Sequence, residues 1–171
     1  MTTFVLTVLG DDRPGLVDAI AVVVSEHGGN WERSQMARLG GKFAGIVQVT
    51  VPDRRADGLH AALVSLADSG AVHVTIDRSG IEPSVRGHRF VLTMVGTDRP
   101  GLVHSVSSAL AAIGASIEEL STATKSAPMS GGEMFEATAT VVLPPSIGVD
   151  SVRGQLEALA DRLMVDIELT D

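Results

Sequence analysis

FVLTVLGDDRPGLV at residues 4–17 recurs as FVLTMVGTDRPGLV at residues 90–103. The two stretches are identical at 11 of 14 positions and lie at a constant offset of 86 residues. An internal repeat of this kind indicates that one structural unit occurs twice. We therefore expect the chain of 171 residues to form two small domains with the same order of helices and strands.

Each copy begins with a short apolar run rich in Val, Leu and Phe, which favours a buried strand. A glycine and an aspartate follow, and then a proline that suits the first turn of a helix. We call this strand-to-helix connection the elbow; the first elbow covers residues 10–17 and the second covers residues 96–103. Asp12 and Asp98 are predicted to cap the helices. Backbone N–H groups at the start of each helix favour a carboxylate or phosphate.

The rest of each copy predicts a second and a third strand, a second helix and a last strand. Residues 30–39 alternate poorly, as is typical of an edge or interface strand, and Gly40-Gly41 predicts a hairpin turn. The resulting order, βαββαβ, predicts a ferredoxin-like α+β fold with an antiparallel sheet and two helices on one face. We expect domain 1 at residues 1–78, a linker at residues 79–87 and domain 2 at residues 88–171.

The two copies differ most in the connection between their second and third strands. Residues 125–133, KSAPMSGGE, make the second hairpin loop about six residues longer than the first. A long hairpin loop is more often functional than required by the core. This loop is either plain surface or a lid or partner-binding segment.

The composition excludes several classes of protein. The net charge of −8, with one Trp and no Tyr, argues against direct nucleic-acid binding. The apolar residues are spread too evenly for a membrane span, and the first residues lack the basic region of a signal peptide. Zero cysteines exclude cysteine catalysis and fit a cytoplasmic protein.

We predict neither catalysis, nor a cofactor, nor a metal site. The sequence contains no GxSxG, GxxxxGK or HExxH motif, and its five histidines lack metal-ligand spacing. Acylphosphatases and RNA-recognition modules share the predicted topology. The elbow is of a different type from the acylphosphatase loop, and the strand aromatics and positive charge of an RNA-binding surface are missing.

The DRPGLV sequences at residues 12–17 and 98–103, each between a first strand and a first helix, resemble the ACT domain. The resemblance covers nearly the whole chain. Two tandem ACT domains with the TKSAPMSG segment at residues 124–131 are similar to the glycine cleavage system transcriptional repressor group. The resemblance implies a regulatory module that binds a small amino acid between domains. It also implies a homo-oligomer, a dimer, and a protein partner such as a transcriptional regulator.

The resemblance also implies which residues bind the amino acid, namely the elbow and the start of the second strand of a neighbouring domain. Asn30 could offer both a donor and an acceptor, whereas Ser116 stands at that position in the second copy. The expected ligand-binding residues are Asp11, Asp12, Arg13, Gly15, Leu16, Val17, Asn30 and Trp31 in the first copy, and Thr97, Asp98, Arg99, Gly101, Leu102, Val103, Ser116 and Ile117 in the second.

We therefore expect a non-enzymatic sensor of a small amino acid, glycine or serine, that passes its state to a partner protein. The alternative is an interaction module that binds a partner through a sheet edge or loop and needs no ligand. For Asp12 and Asp98, helix capping is an explanation that needs no ligand. Gly15 and Gly101 serve either close approach to a ligand or packing of helix on sheet. Arg13 and Arg99 are expected to be solvated or ion-paired, or else to touch ligand or partner.

Overall fold

The chain forms two compact units, Met1–Pro83 and Ser84–Asp171. The structure is a computed structural model, and it describes residues 1–70, 72–79, 87–126 and 132–170. The predicted linker at residues 79–87 lies almost entirely outside the described residues, as does most of the predicted loop at residues 125–133. The domain boundaries proposed from sequence therefore stay a prediction.

Both units have the predicted βαββαβ order. The elements of the first unit are β1 (Thr2–Asp11), α1 (Leu16–Glu26), β2 (Asn30–Leu39), β3 (Lys42–Val51), a short 3-10 turn (Asp53–Arg55), α2 (Ala56–Asp68) and β4 (His73–Ser79). Those of the second unit are β5 (His88–Thr97), α3 (Leu102–Ala112), β6 (Ser116–Ser126), β7 (Glu133–Leu143), α4 (Val149–Leu163) and β8 (Val165–Thr170).

Each unit contains one four-stranded antiparallel sheet. The strand order is β2-β3-β1-β4 in the first unit and β6-β7-β5-β8 in the second. The third strand of each unit lies between the first and the second and is antiparallel to both, so the first two strands run in the same direction. The prediction that residues 30–39 form an edge strand is confirmed. This topology also fixes which loops share an end of the sheet.

Each sheet buries the face that packs on its two helices. In the first unit Phe4, Leu6 and Val8 alternate along β1 and are fully buried against Ile20 of α1 and Leu59 of α2. Burial of a side chain of this size contributes roughly 1.5–3 kcal/mol. The second unit repeats the arrangement, and its core includes Phe90, Leu92, Met94, Val106, Leu110, Leu156 and Leu159.

The pairing registers show where the two copies diverge. Thr7 pairs with Ile46, and the equivalent Thr93 pairs with Thr138. Thr93 follows Thr7 by 86 residues, whereas Thr138 follows Ile46 by 92. The six additional residues therefore belong to the β6–β7 hairpin, where the sequence predicts them: each strand is one residue longer than its counterpart, and the connection is four residues longer.

Candidate functional site

The backbone of both elbows is set by a glycine in the left-handed conformation. Gly15 has φ 86° and Gly101 has φ 92°, and each is the N-cap residue of the helix that follows. A side chain is strained at such angles, although a Cβ at either position would meet no atom of the described ranges within 4 Å. The requirement for glycine is thus conformational, and the expectation of tight packing between helix and sheet at these glycines is wrong.

The predicted capping by Asp12 and Asp98 is wrong. Neither helix α1 nor helix α3 has a side-chain hydrogen bond at its cap. The helices begin at Leu16 and Leu102, two residues after the prolines that the sequence placed in the first turn. A left-handed glycine cannot belong to a right-handed helix, so the helix can start only after it.

Both helices begin with backbone N–H groups that lack a partner within the helix. The first intrahelical bonds run from the Ala19 N–H to the Gly15 carbonyl and from the Ser105 N–H to the Gly101 carbonyl, each 2.9 Å. The N–H groups of residues 16–18 and 102–104 precede those bonds. Such groups and the positive end of the helix dipole attract an anion.

A cavity opens beside the first elbow. Its volume is about 180 Å³, which is below the roughly 300–1,000 Å³ of pockets for drug-sized molecules. One cationic side chain lies among mainly small or apolar neighbours in its lining, which consists of Arg13, Pro14, Gly15, Leu16, Ala19 and Val72. The cavity therefore suits a small anion or zwitterion.

The β2–β3 hairpin is attached to the first elbow by a backbone hydrogen bond and two ion pairs. The Asp12 N–H donates to the Gly41 carbonyl at 3.0 Å, and the Asp12 carboxylate lies 2.7 Å from Nε of Arg38. Lys42 pairs with Asp11 and holds the pKa of that carboxyl below its usual value. Strand β1 therefore continues through Asp11, two residues into the turn predicted from sequence.

The second elbow shares the backbone contact with its hairpin. The Asp98 N–H donates to the Glu133 carbonyl at 2.8 Å, which parallels the contact of Asp12. The half-buried Arg99 donates to the carbonyl of Leu163, the last residue of α4. The expectation of a merely solvated or ion-paired arginine is therefore wrong for Arg99. Thr97 is the exposed last residue of β5.

A single unit does not bring the two predicted parts of the ligand site together. Asn30 pairs with Thr50, which pairs with Thr3 near the start of β1, whereas the elbow follows Asp11 at the other end. Eight residues of strand separate these ends by about 25 Å. Ser116 and Ile117 are separated from the second elbow in the same way.

Several predicted ligand residues have side chains that serve the core. Leu16 and Leu102 are buried, and Trp31 and Ile117 are half-buried against the two hydrophobic cores. Val17 and Val103 each expose 41% of their surface. At Leu16 and Leu102 the backbone, and not the side chain, is what a bound molecule could contact.

Sequence reasoning missed a glutamate at the start of each second strand. The pairing register shifts between Trp31 and Arg33, so Glu32 stands in a β-bulge, and Glu118 stands in the equivalent bulge of β6. Glu32 accepts hydrogen bonds from Asn30 Nδ2 at 2.9 Å and from Thr50 Oγ1 at 2.7 Å. The two glutamates are separated by the repeat offset of 86 residues, and this shared position in the sequence could have marked both as candidate site residues.

Glu118 has a different partner from Glu32. Arg89 donates to both of its carboxylate oxygens, at 2.7 and 3.0 Å, and holds its pKa below the ordinary value. The pKa of Glu32 is also lowered, by the hydrogen bond from Thr50 and then by that from Asn30. Both glutamates are therefore ionised at neutral pH.

The described part of the chain has neither a metal-binding cluster nor a membrane-spanning helix. Among those residues no three His, Asp or Glu side chains are grouped so that they could hold a metal ion. No helix within the described ranges is long and apolar enough to cross a membrane.

The chain is similar to known sequences and structures. A family model described as the ACT domain matches residues 2–77 and 88–170. A structure of a protein of unknown function from Galdieria sulphuraria is 31% identical, with a TM-score of 0.87 over 99% of this chain and 97% of the other. A proposed glycine cleavage system transcriptional repressor is 19% identical, with a TM-score of 0.75 over 99% of this chain and 96% of the other, a likeness of fold alone. No curated protein matches the chain.

Proposed function

This chain belongs to the ACT-domain family, and we propose that it is a non-catalytic regulatory protein that binds a small amino acid, glycine or serine. Its family match covers both units and nearly the whole chain. The proposal places the carboxylate of the amino acid at the start of α1.

The observation that carries the proposal is the uncapped start of α1 beside a cavity. Gly15 holds the backbone so that the N–H groups of Leu16 and Val17 precede the first intrahelical bond. The cavity of about 180 Å³ reaches both Gly15 and Leu16. A carboxylate there would gain charge-assisted hydrogen bonds from N–H groups at a helix start that has no side-chain cap among the described residues.

The small volume and apolar walls of the cavity favour a small side chain on the amino acid. Ala19 and Val72 also line the cavity, and neither side chain can hydrogen-bond to a long polar side chain. Glycine and serine meet this requirement. The ammonium group would be recognised by residues at the start of a second strand. That strand must come from another ACT domain, because within one unit the elbow and the start of the second strand lie about 25 Å apart.

Regulation would follow from linkage between ligand and assembly. A ligand that contacts two domains stabilises the arrangement that binds it better, by its difference in affinity for the two arrangements. We propose that a dimer passes this change to a partner protein, such as a transcriptional regulator of the glycine cleavage system. A likeness of fold to the proposed glycine cleavage repressor supports this choice.

Isothermal titration of the full chain with glycine, serine and the other amino acids tests the proposal. We expect glycine or serine to bind, and Val17→Pro to weaken binding about tenfold or more, because it removes one N–H bonded to a carboxylate. Proline is tolerated in the first turn of a helix, and circular dichroism checks that the variant folds. Val17→Ala is the matched control, since it removes the exposed side chain and keeps the N–H.

The variant Val103→Pro tests whether the second elbow binds the amino acid. Unchanged binding would assign the ligand to the first elbow, and a parallel loss would show that both elbows bind. If no amino acid binds the wild-type chain, the sensor proposal fails.

An exposed strand edge favours a ligand-independent interaction module as the second candidate. Every residue from Glu118 to Ser126 of β6 is exposed, and among the described strands β6 is paired with β7 alone. An unpaired edge of this length is a template for another strand. This function would apply if amino acids leave the chain unaffected and a partner protein protects β6 from hydrogen exchange.

A further inference from the structure

Asn30 and Glu32 form a hydrogen-bonded pair at the start of β2. Thr50 of the neighbouring strand β3 also donates to Glu32, and both Asn30 and Thr50 bond to the same oxygen, Oε1. The Asn30 Nδ2 to Oε1 distance is 2.9 Å and the Thr50 Oγ1 to Oε1 distance is 2.7 Å. Glu32 is brought there by the β-bulge, which sets its side chain out of the regular alternation.

The charge of Glu32 decides which way the amide of Asn30 faces. An ionised carboxylate only accepts hydrogen bonds, so Asn30 must turn its NH₂ group toward Glu32. The amide oxygen Oδ1 is then turned away from Glu32, where it is an acceptor. An acceptor is what an ammonium group requires.

We propose that Glu32 is a positioning residue that orients Asn30 so that its amide oxygen selects ligands with an ammonium group. This inference rests on the proposed function, because it assumes that Asn30 contacts the amino acid. In this role Glu32 acts through Asn30, to which it is hydrogen-bonded.

The second unit lacks this arrangement although it retains the bulge glutamate. Ser116 stands at the position of Asn30, and Glu118 is bound on both oxygens by Arg89. A serine hydroxyl can rotate to donate or to accept, so it does not select an ammonium group. Selection for the ammonium group therefore belongs to the first unit.

Discrimination between an amino acid and its deaminated analogue tests the proposal. NMR titrations of the full chain with glycine and acetate, and in parallel with serine and 3-hydroxypropionate, give the preference for the ammonium group. In Glu32→Gln the neutral amide can donate as well as accept, so Asn30 no longer has one preferred orientation. We expect this variant to lose about tenfold in affinity for the amino acid, the equivalent of one hydrogen bond, while its affinity for the analogue stays the same.

Two variants separate this role from a structural one. Glu118→Gln removes the matched glutamate of the second unit and should leave the preference unchanged. Thr50→Val removes the other hydrogen bond to Glu32 but keeps Asn30 facing it, so the preference should again persist. A merely structural Glu32 would change the affinities for amino acid and analogue by the same factor.

The outcomes also separate this inference from the proposed function. If glycine or serine binds and Glu32→Gln keeps the wild-type preference over the analogue, the inference is overturned and the proposed function stands. If neither amino acid binds the wild-type chain, the proposed function fails and the inference fails with it.

Discussion

Gly15, and not Asp12, is the N-cap residue of helix α1. Aspartate is a strong helix cap, yet Asp12 pairs with Arg38, and the cap position is taken by Gly15. The reason is the positive φ of Gly15, which turns the chain into the helix only after residue 15. Within the described part of the chain, the start of α1 is thereby left without a capping side chain.

Replacement of Gly15 by alanine should destabilise the first unit. The left-handed conformation costs an alanine about 1–2 kcal/mol, and no atom of the described residues lies within 4 Å of the new Cβ, so backbone strain accounts for the loss. Chemical denaturation monitored by circular dichroism measures the change. Gly15→Asn should cost less, because asparagine tolerates this conformation better.

Gly154→Ala serves as a control in which the same substitution should increase stability. Gly154 lies inside α4 with open space around its Cβ position, so alanine should stabilise that helix by about 0.5–1 kcal/mol. Equal effects at Gly15 and Gly154 would contradict the conformational explanation.

The pair of Arg89 and Glu118 should make the second unit sensitive to acid. Arg89 lowers the pKa of Glu118 in the folded chain below the ordinary value of 4.5. The pair therefore stabilises the folded state above that value, and the contribution disappears as the pH falls through the lowered pKa. NMR titration of Glu118 should show this shift in the wild type and a return toward 4.5 in Arg89→Met. An unchanged Glu118 pKa in the variant would contradict the pairing.

At the scale of elements, helices α1 and α3 differ at one position that faces the core. An apolar cavity of about 20 Å³ lies beside Val106, where α3 meets Leu92 and Ala139. The equivalent of Val106 in α1 is Ile20, which is fully buried. The second unit thus has one methylene fewer at this contact.

The two helices give a matched pair of core substitutions. Val106→Ile should stabilise the second unit by about 0.8 kcal/mol, the value of one buried methylene group. Ile20→Val should destabilise the first unit by about 0.5–1.5 kcal/mol. Thermal unfolding of both variants measures the changes. A loss of stability in Val106→Ile would mean that the cavity cannot take the added group.

Contacts between elements also explain why the two elbows differ. Both elbows bond to the following hairpin, through Asp12 N–H to Gly41 and through Asp98 N–H to Glu133. Only the first sequence supplies an arginine, Arg38, to pair with the elbow aspartate, because Thr124 stands at the equivalent position of β6. The same DRPGLV sequence therefore acquires different side-chain contacts from the strands that surround it.

At the scale of the whole molecule, the repeat accounts for most of what the sequence could predict. Both βαββαβ units, the edge position of β2 and the insertion between β6 and β7 follow from the offset and from alternating apolar residues. Predictions that depended on one residue's hydrogen bonds were less successful. Asp12 and Arg99 found partners 26 and 64 residues away along the chain, beyond any local pattern.

The sequence by itself determined the order of the elements, the two-fold repetition and the buried face of each sheet, because these depend on the spacing of apolar side chains over a few residues. Only the tertiary structure decided which residue caps each helix, where a cavity opens, and that the elbow and the start of the second strand lie at opposite ends of one sheet. Those features depend on pairing between distant strands, which sets positions that no local pattern encodes.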